Sequence, residues 1–298
     1  MSRLKSHLRT KESERFGKKK IARTGLSILD AVHCVADRKR TLLFLGEIRK
    51  LVHKNSLVLE AGVGTGVLSV YAAIRGAKVR GVELNPATLK LAQRTKKNFS
   101  DIANINFVAG NAIKFHSKQK YDLIINENIY TGLFFEKQVE ISNNLQRFLK
   151  PQGEVLPRGI TNTFRLCRAF YPKTPHHKEL FVRYEEGKKP IPLRYLSGET
   201  VYNEIDFKKN NRLSVHGKAI VQIGKNGLLN GIRISSYVNL PSGRIIDRLE
   251  TKFLNNDIVL AVVPSVEVKR GDKVGVSLDY SCGDNPKTAR VLVIKLGK

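Results

Sequence analysis

Residues 58–66 read Val58-Leu59-Glu60-Ala61-Gly62-Val63-Gly64-Thr65-Gly66. A short apolar strand ends on an acid, and three glycines follow at alternating positions. Glycine reaches positive φ and lets the backbone approach a ligand closely, so the stretch predicts a strand, a tight turn and a helix. Glu83 stands 21 residues after Gly62, at the end of the next apolar run, Val79 to Glu83. A carboxylate at that place can accept both hydroxyls of a ribose. The dinucleotide fingerprint GxGxxG requires its third glycine at position 67, where this chain has valine. The pyrophosphate turn therefore does not fit. Glu60 would repel a pyrophosphate and suits a cation or an amino group.

Outward from this stretch the chain alternates strand and helix. A helical pattern runs from about Leu26 to Val52, with apolar residues at three- and four-residue steps. A helix is predicted through Leu68 to Ile74, and another from Pro86 to about Asn98. Ile105 to Val108 and Tyr121 to Asn126 read as strands three and four, and a helix is expected over Glu136 to Leu149. Such alternation implies a parallel sheet covered on both faces, an α/β Rossmann-like domain over residues 26–157. Lys150-Pro151-Gln152-Gly153 breaks the rhythm. Beyond it come β-branched segments at Ser214–Ile223, Gly231–Val238, Asp257–Val263, Lys273–Leu278 and Arg290–Ile294. Turn signals such as Asn226-Gly227 and Gly271-Asp272 separate them. Residues 158–298 thus read as an antiparallel β-barrel or sandwich domain.

The chain of 298 residues carries 53 Lys and Arg against 26 Asp and Glu, a formal net charge of +27. That balance favours a polyanionic partner through phosphate neutralisation. Residues 1–25 are the most basic and read as a flexible arm. No run of 18 apolar residues exists, which excludes a membrane-spanning helix and a membrane partner of that kind. Cys34, Cys167 and Cys282 are far apart, without metal-ligand spacing or a disulfide framework; no metal is expected, and a reducing cytoplasmic setting is the default.

The stretch from about residue 40 to 157 resembles the class I methyltransferases, whose cofactor S-adenosyl-L-methionine has both a sulfonium and an amino group. The resemblance implies that Glu60, Gly62, Gly64 and Gly66 surround the methionine part and that Glu83 holds the ribose. It places Asn111 and Ala112, after Gly110, at the adenine; the family commonly has Asp where this chain has Asn111. Strand four is followed by Glu127-Asn128-Ile129-Tyr130-Thr131-Gly132-Leu133-Phe134-Phe135-Glu136. This is similar to the double-glutamate loop of protein arginine methyltransferases, in which two acids grip the acceptor guanidinium. A guanidinium stays protonated and presents a planar fork of donors, which paired carboxylates bind bidentately. Asp37-Arg38-Lys39-Arg40-Thr41 resembles the same family's D-x-x-R-T element. Carried over, Arg40 would pair with the cofactor carboxylate and Asp37 would support the acceptor site. The family also implies a homodimer through an inserted arm, for which residues 172–200 are the candidate.

One family motif departs. The Thr-His-Trp that lines the acceptor site has its best counterpart at Thr251-Lys252-Phe253, and the chain contains no tryptophan. The expected function is therefore an enzyme, an N-methyltransferase acting on a guanidinium or amine of a protein or peptide. RNA methylation is the alternative, supported by the basic charge. Against it, strand four lacks the Pro-Pro-aromatic that stacks a flipped base. A binding protein without turnover is a third class, disfavoured by the retained Glu60, Glu83 and Glu127.

Overall fold

The computed structural model describes residues 27–99, 104–171, 180–182, 191–247, 250–251 and 257–297. The basic arm, most of the 172–200 segment, and Lys252 and Phe253 lie outside the described residues.

The helical pattern at the start is two helices, α1 (Ile28–Ala36) and α2 (Arg38–Leu51). Asp37 divides them. Its backbone leaves the helical region, and its side chain accepts from the Arg40 N–H to cap α2. Ser27 and Asp30 form a reciprocal capping box at the start of α1.

Five strands build the parallel sheet: β1 (Leu57–Ala61), β2 (Lys78–Glu83), β3 (Ile105–Ala109), β4 (Tyr121–Asn126) and β5 (Leu149–Leu156). Their order is β3-β2-β1-β4-β5, and every pairing is parallel. The glycine turn leads into α3 (Val67–Ile74); α4 (Pro86–Lys97) follows β2, with Asn85 capping it and Pro86 in its first turn. The helix expected over Glu136–Leu149 is shorter. It is α5 (Gln138–Leu145), and the Lys150-Pro151-Gln152-Gly153 segment that breaks the rhythm is part of β5. Strand β5 accommodates it through a register shift against β4 between Tyr121 and Leu123. In the middle of β2, Gly81 is required by packing. A Cβ there would stand 2.5 Å from Val63 Cγ2 and 2.6 Å from Phe107 Cδ1.

The second half is antiparallel, as its turn-separated segments predict. One sheet runs β7 (Leu180–Val182), β12 (Ile258–Val268), β10 (Gly227–Asn239), β6 (Gly159–Ala169) and β8 (Leu193–Asp206), with β11 (Ile245–Ile246) paired to β10. The other runs β14 (Arg290–Lys295), β13 (Lys273–Ser281) and β9 (Ser214–Gln222). A bridge from Ser197 to Ile223 joins the sheets at one side, and β12 lies beside β14 at the other, giving a barrel-like wall. The architecture is the expected one, a Rossmann-like sheet followed by a β-barrel. The two halves share one apolar core, in which Phe134, Phe164, Ile232 and Tyr280 meet Leu59 and Ile125. Glu47 of α2, 2% exposed, also accepts from the Ser242 N–H in the β10–β11 turn.

A methyl group at position 81 would have to displace two stiff neighbours. Gly81→Ala should lower folding stability by about 1–3 kcal/mol. Urea denaturation would show a reduced midpoint with an unchanged slope.

Candidate functional site

The carboxyl ends of a parallel sheet are where its loops can surround a ligand. Here one cleft lies over them, lined by Arg40, Glu60, Gly62, Gly64, Glu83, Asn111, Ala112, Glu127 and Glu136. Nine of the eleven positions singled out from the sequence are thereby brought together. Gly66 and Asp37 are not part of the lining. Gly66 has φ +83° and caps α3; a Cβ there would stand 3.3 Å from the Ala92 Cα, so it serves the approach of α3 to α4. Asp37 is buried behind Arg40, where it caps the helix that carries it.

The glycine turn has the backbone expected of it, with φ of +71° at Gly62 and +59° at Gly64. At Gly64 a Cβ would meet nothing nearer than the Ala31 Cβ at 3.8 Å, so the missing side chain leaves that part of the cleft open. At Gly62 it would instead strike the Asn128 side chain at 2.6 Å. Glu83 receives the backbone N–H of Gly64 at 3.1 Å through one oxygen and that of Asn85 at 2.8 Å through the other. The turn after Gly110 is held in place by Asn144, which donates to the carbonyls of Ala112 and Phe115. Asn111 accepts from the Ile113 N–H.

Glu60 is 3% exposed. Burial pushes its carboxyl up to about 8, although the Ser69 hydroxyl donates to it. Glu136 is raised to about 7, first by burial and then by the nearby Asp30. Among the described residues its carboxylate has no hydrogen-bond or ion-pair partner. Glu127 differs: it forms an ion pair with the Arg40 guanidinium, whose Nε also donates to it at 3.1 Å. Arg40 Nη1 donates to the Cys34 carbonyl at 3.0 Å. The sequence places Arg40 with the cofactor and Glu127 with the acceptor, whereas here the two face each other. Their side chains are only 7% and 13% exposed, and each serves as the other's counterion there.

Two networks hold the loop between the glutamates. At its base, Asn126 donates to the Gln138 carbonyl and the Ser142 hydroxyl, Gln138 donates to the Asn126 carbonyl, and Asn128 donates to the Ala61 carbonyl and to Asn126. At its tip, the Gly132 N–H donates to Ser236 Oγ at 2.8 Å, the Gly283 N–H to the Leu133 carbonyl, and the Phe135 N–H to the Asp284 carbonyl. Phe134 is wholly buried against Tyr280, ring centroids 4.4 Å apart. Amides on either side of Glu127 were a legible sign of the first network. Ser236 and Asn144 carried no such sign, because each acts across a large sequence separation, and Ser69 reads as an ordinary residue of α3 although it meets Glu60.

The fold and the cleft define a class I methyltransferase, and the comparisons agree. The methyltransferase domain family matches residues 52–203, and the chain belongs to it. An uncharacterized protein of Methanocaldococcus jannaschii is 28% identical over 259 residues, covering 86% of this chain and 93% of its own. The histone-arginine methyltransferase CARMER of Drosophila yakuba is 24% identical over 205 residues; that match takes in 60% of this chain and only 38% of the larger enzyme. Among solved structures, the Trypanosoma brucei PRMT1 enzyme–prozyme heterotetrameric complex with AdoHcy superposes with a TM-score of 0.70 at 15% identity, covering 88% of this chain and 96% of that one. The fold is thus that of the arginine methyltransferases, and the chain is an S-adenosylmethionine-dependent methyltransferase. The residues present suit that cofactor: an open glycine cradle beside a desolvated acid is matched to a cationic amino acid. No helix among the described residues is long and apolar enough to cross a membrane.

A carboxyl at about 8 in the folded protein and near 4.5 when unfolded binds more protons in the folded state between those values. Its contribution is intact below about pH 4.5 and is lost as pH rises toward 8. Melting temperature should therefore decline over that window, and Glu60→Gln, which can still accept from Ser69, should flatten the decline.

Proposed function

We propose that this enzyme transfers the methyl group of S-adenosylmethionine to a guanidinium or amine nitrogen of a protein or peptide. One observation carries the reading. Glu127 already receives a guanidinium, that of Arg40, in the cleft where the Glu136 carboxylate has no hydrogen-bond or ion-pair partner among the described residues. A second cationic fork entering the cleft would meet both acids. The similarity to an enzyme named for histone arginine supports the same acceptor chemistry.

S-adenosylmethionine, when bound, supplies an electrophilic methyl carbon on its sulfonium. Glu83 would hold the ribose hydroxyls, Glu60 with Gly62 and Gly64 the methionine part, and Asn111 and Ala112 the adenine. Arg40 would pair with the cofactor carboxylate, so its release from Glu127 is what opens Glu127 to the acceptor. Asp37 acts through Arg40, by capping its helix. Glu127 and Glu136 draw the acceptor's positive charge toward the nitrogens they touch, which leaves the remaining nitrogen the better nucleophile. Holding that nitrogen in line does most of the work. A carboxylate raised to about 7 is also matched to taking up the proton that the methylated nitrogen gives off.

The net charge of +27 favours RNA as a second reading, since phosphate contacts would use it. Incubation of the protein with labelled cofactor and whole lysate separates the two. Label removed by protease and resistant to ribonuclease supports the protein acceptor; the reverse result overturns it.

Glu136→Gln should lower kcat by about 100-fold, as when one group aimed at developing charge is removed. It should leave AdoHcy affinity, read by calorimetry, within about threefold, a change of under 1 kcal/mol. Grip on a guanidinium requires the ionised carboxylate, so the wild-type rate should climb with pH through about 7. That limb should vanish in Glu136→Gln.

A further inference from the structure

The loop between Glu127 and Glu136 bends through three residues in the left-handed region: Gly132 at φ +67°, Leu133 at +60° and Phe135 at +58°. Leucine and phenylalanine adopt that conformation at a cost, and it persists only where the surroundings enforce it. The enforcement comes from the barrel. Ser236, wholly buried on β10, accepts from the Gly132 N–H at 2.8 Å and donates to Asn162 Oδ1 at 2.6 Å. Asn162, equally buried on β6, donates in turn to Asn203 Oδ1 of β8 at 2.9 Å. A polar relay thus crosses three strands of the barrel wall and ends on the tip of the loop. An aliphatic residue at 236 would pack as well and would leave the Gly132 N–H unmet, so the hydroxyl has a use that core filling does not supply.

We infer that Ser236, fixed by Asn162 and Asn203, is a positioning residue: it holds the loop tip so that Glu127 and Glu136 face one acceptor together. The inference rests on the reading of that loop as the acceptor site. Because the contact is made by the barrel half, the barrel is part of the catalytic geometry and not only a platform for substrate.

Hydrogen exchange followed by mass spectrometry reads the loop without any acceptor. In Ser236→Ala, amides of residues 129–136 should exchange at least about tenfold faster, while those of β1 and β2 stay protected. With an arginine-containing peptide as probe, kcat should fall by about tenfold or more with AdoHcy affinity unchanged, and Ser236→Thr should recover most of the loss. A general loss of packing would instead speed exchange throughout and weaken AdoHcy binding, which would overturn the inference. Unchanged exchange in 129–136 would overturn it as well. Faster loop exchange with unaltered methylation of both peptide and RNA would refute the acceptor-site reading on which it rests. Should Ser236→Ala fail to fold, Asn203→Ser at the half-buried end of the relay should give the same pattern more weakly, and no effect on the loop would count against the relay.

Discussion

Four carboxylates, Glu60, Glu83, Glu127 and Glu136, converge on one cleft, the first two buried and the other two partly buried. Like charges in such a place destabilise one another, and each needs a cation, a proton or backbone donors. The structure uses all three. Backbone N–H groups meet Glu83, the Arg40 guanidinium meets Glu127, and Glu60 and Glu136 are pushed toward the protonated form. The protein's own groups therefore leave the cleft short of positive charge. Its chemistry favours occupants that bring cations, and both a sulfonium amino acid and a guanidinium do so.

Such a cleft is useful only if its acids are held apart at fixed positions. Glu60 and Glu83 ride on the ends of neighbouring strands, so the β1–β2 register sets their spacing. Glu127 and Glu136 have no such frame, being the two ends of an irregular loop. Their separation is set by amides from α5 at the base and by contacts from β10 and the turn after β13 at the tip. The shared apolar core, with Phe134 seated on Tyr280, ties those supports together. A loop with two non-glycine residues in the left-handed region is tolerable because so many independent contacts specify it.

The parallel half was legible because its signals are local. A strand buried on both faces, a glycine turn, Asn85 and Pro86 at a helix start all act within a few residues. Three features were less so. The place of the break at Asp37 is not marked by the apolar periodicity, which continues on both sides of it. Strand β5 is concealed by Pro151 and Gly153, residues that signal a turn, yet β5 is an edge strand and tolerates them. Strands β6 and β8 carry Asn162, Thr163, Arg165, Asn203 and Glu204, polar residues whose partners lie in other strands. In the site, residue identity was readable and pairing was not. Arg40 and Glu127 were each picked out by motif, but nothing in a motif states that residues 87 positions apart will neutralise one another.

The same reasoning resolves an apparent conflict between the charge of the whole chain and that of its cleft. A net +27 acts on a partner at distance and is screened over about 10 Å at 0.1 M salt. The acids of the cleft act at contact, in a medium where screening is weak. Long-range attraction to polyanions and short-range preference for a cation are therefore compatible properties of one protein. What the outer charge decides is the rate and salt dependence of encounter; in the function proposed above, Glu127 and Glu136 select which atom of the visitor is methylated.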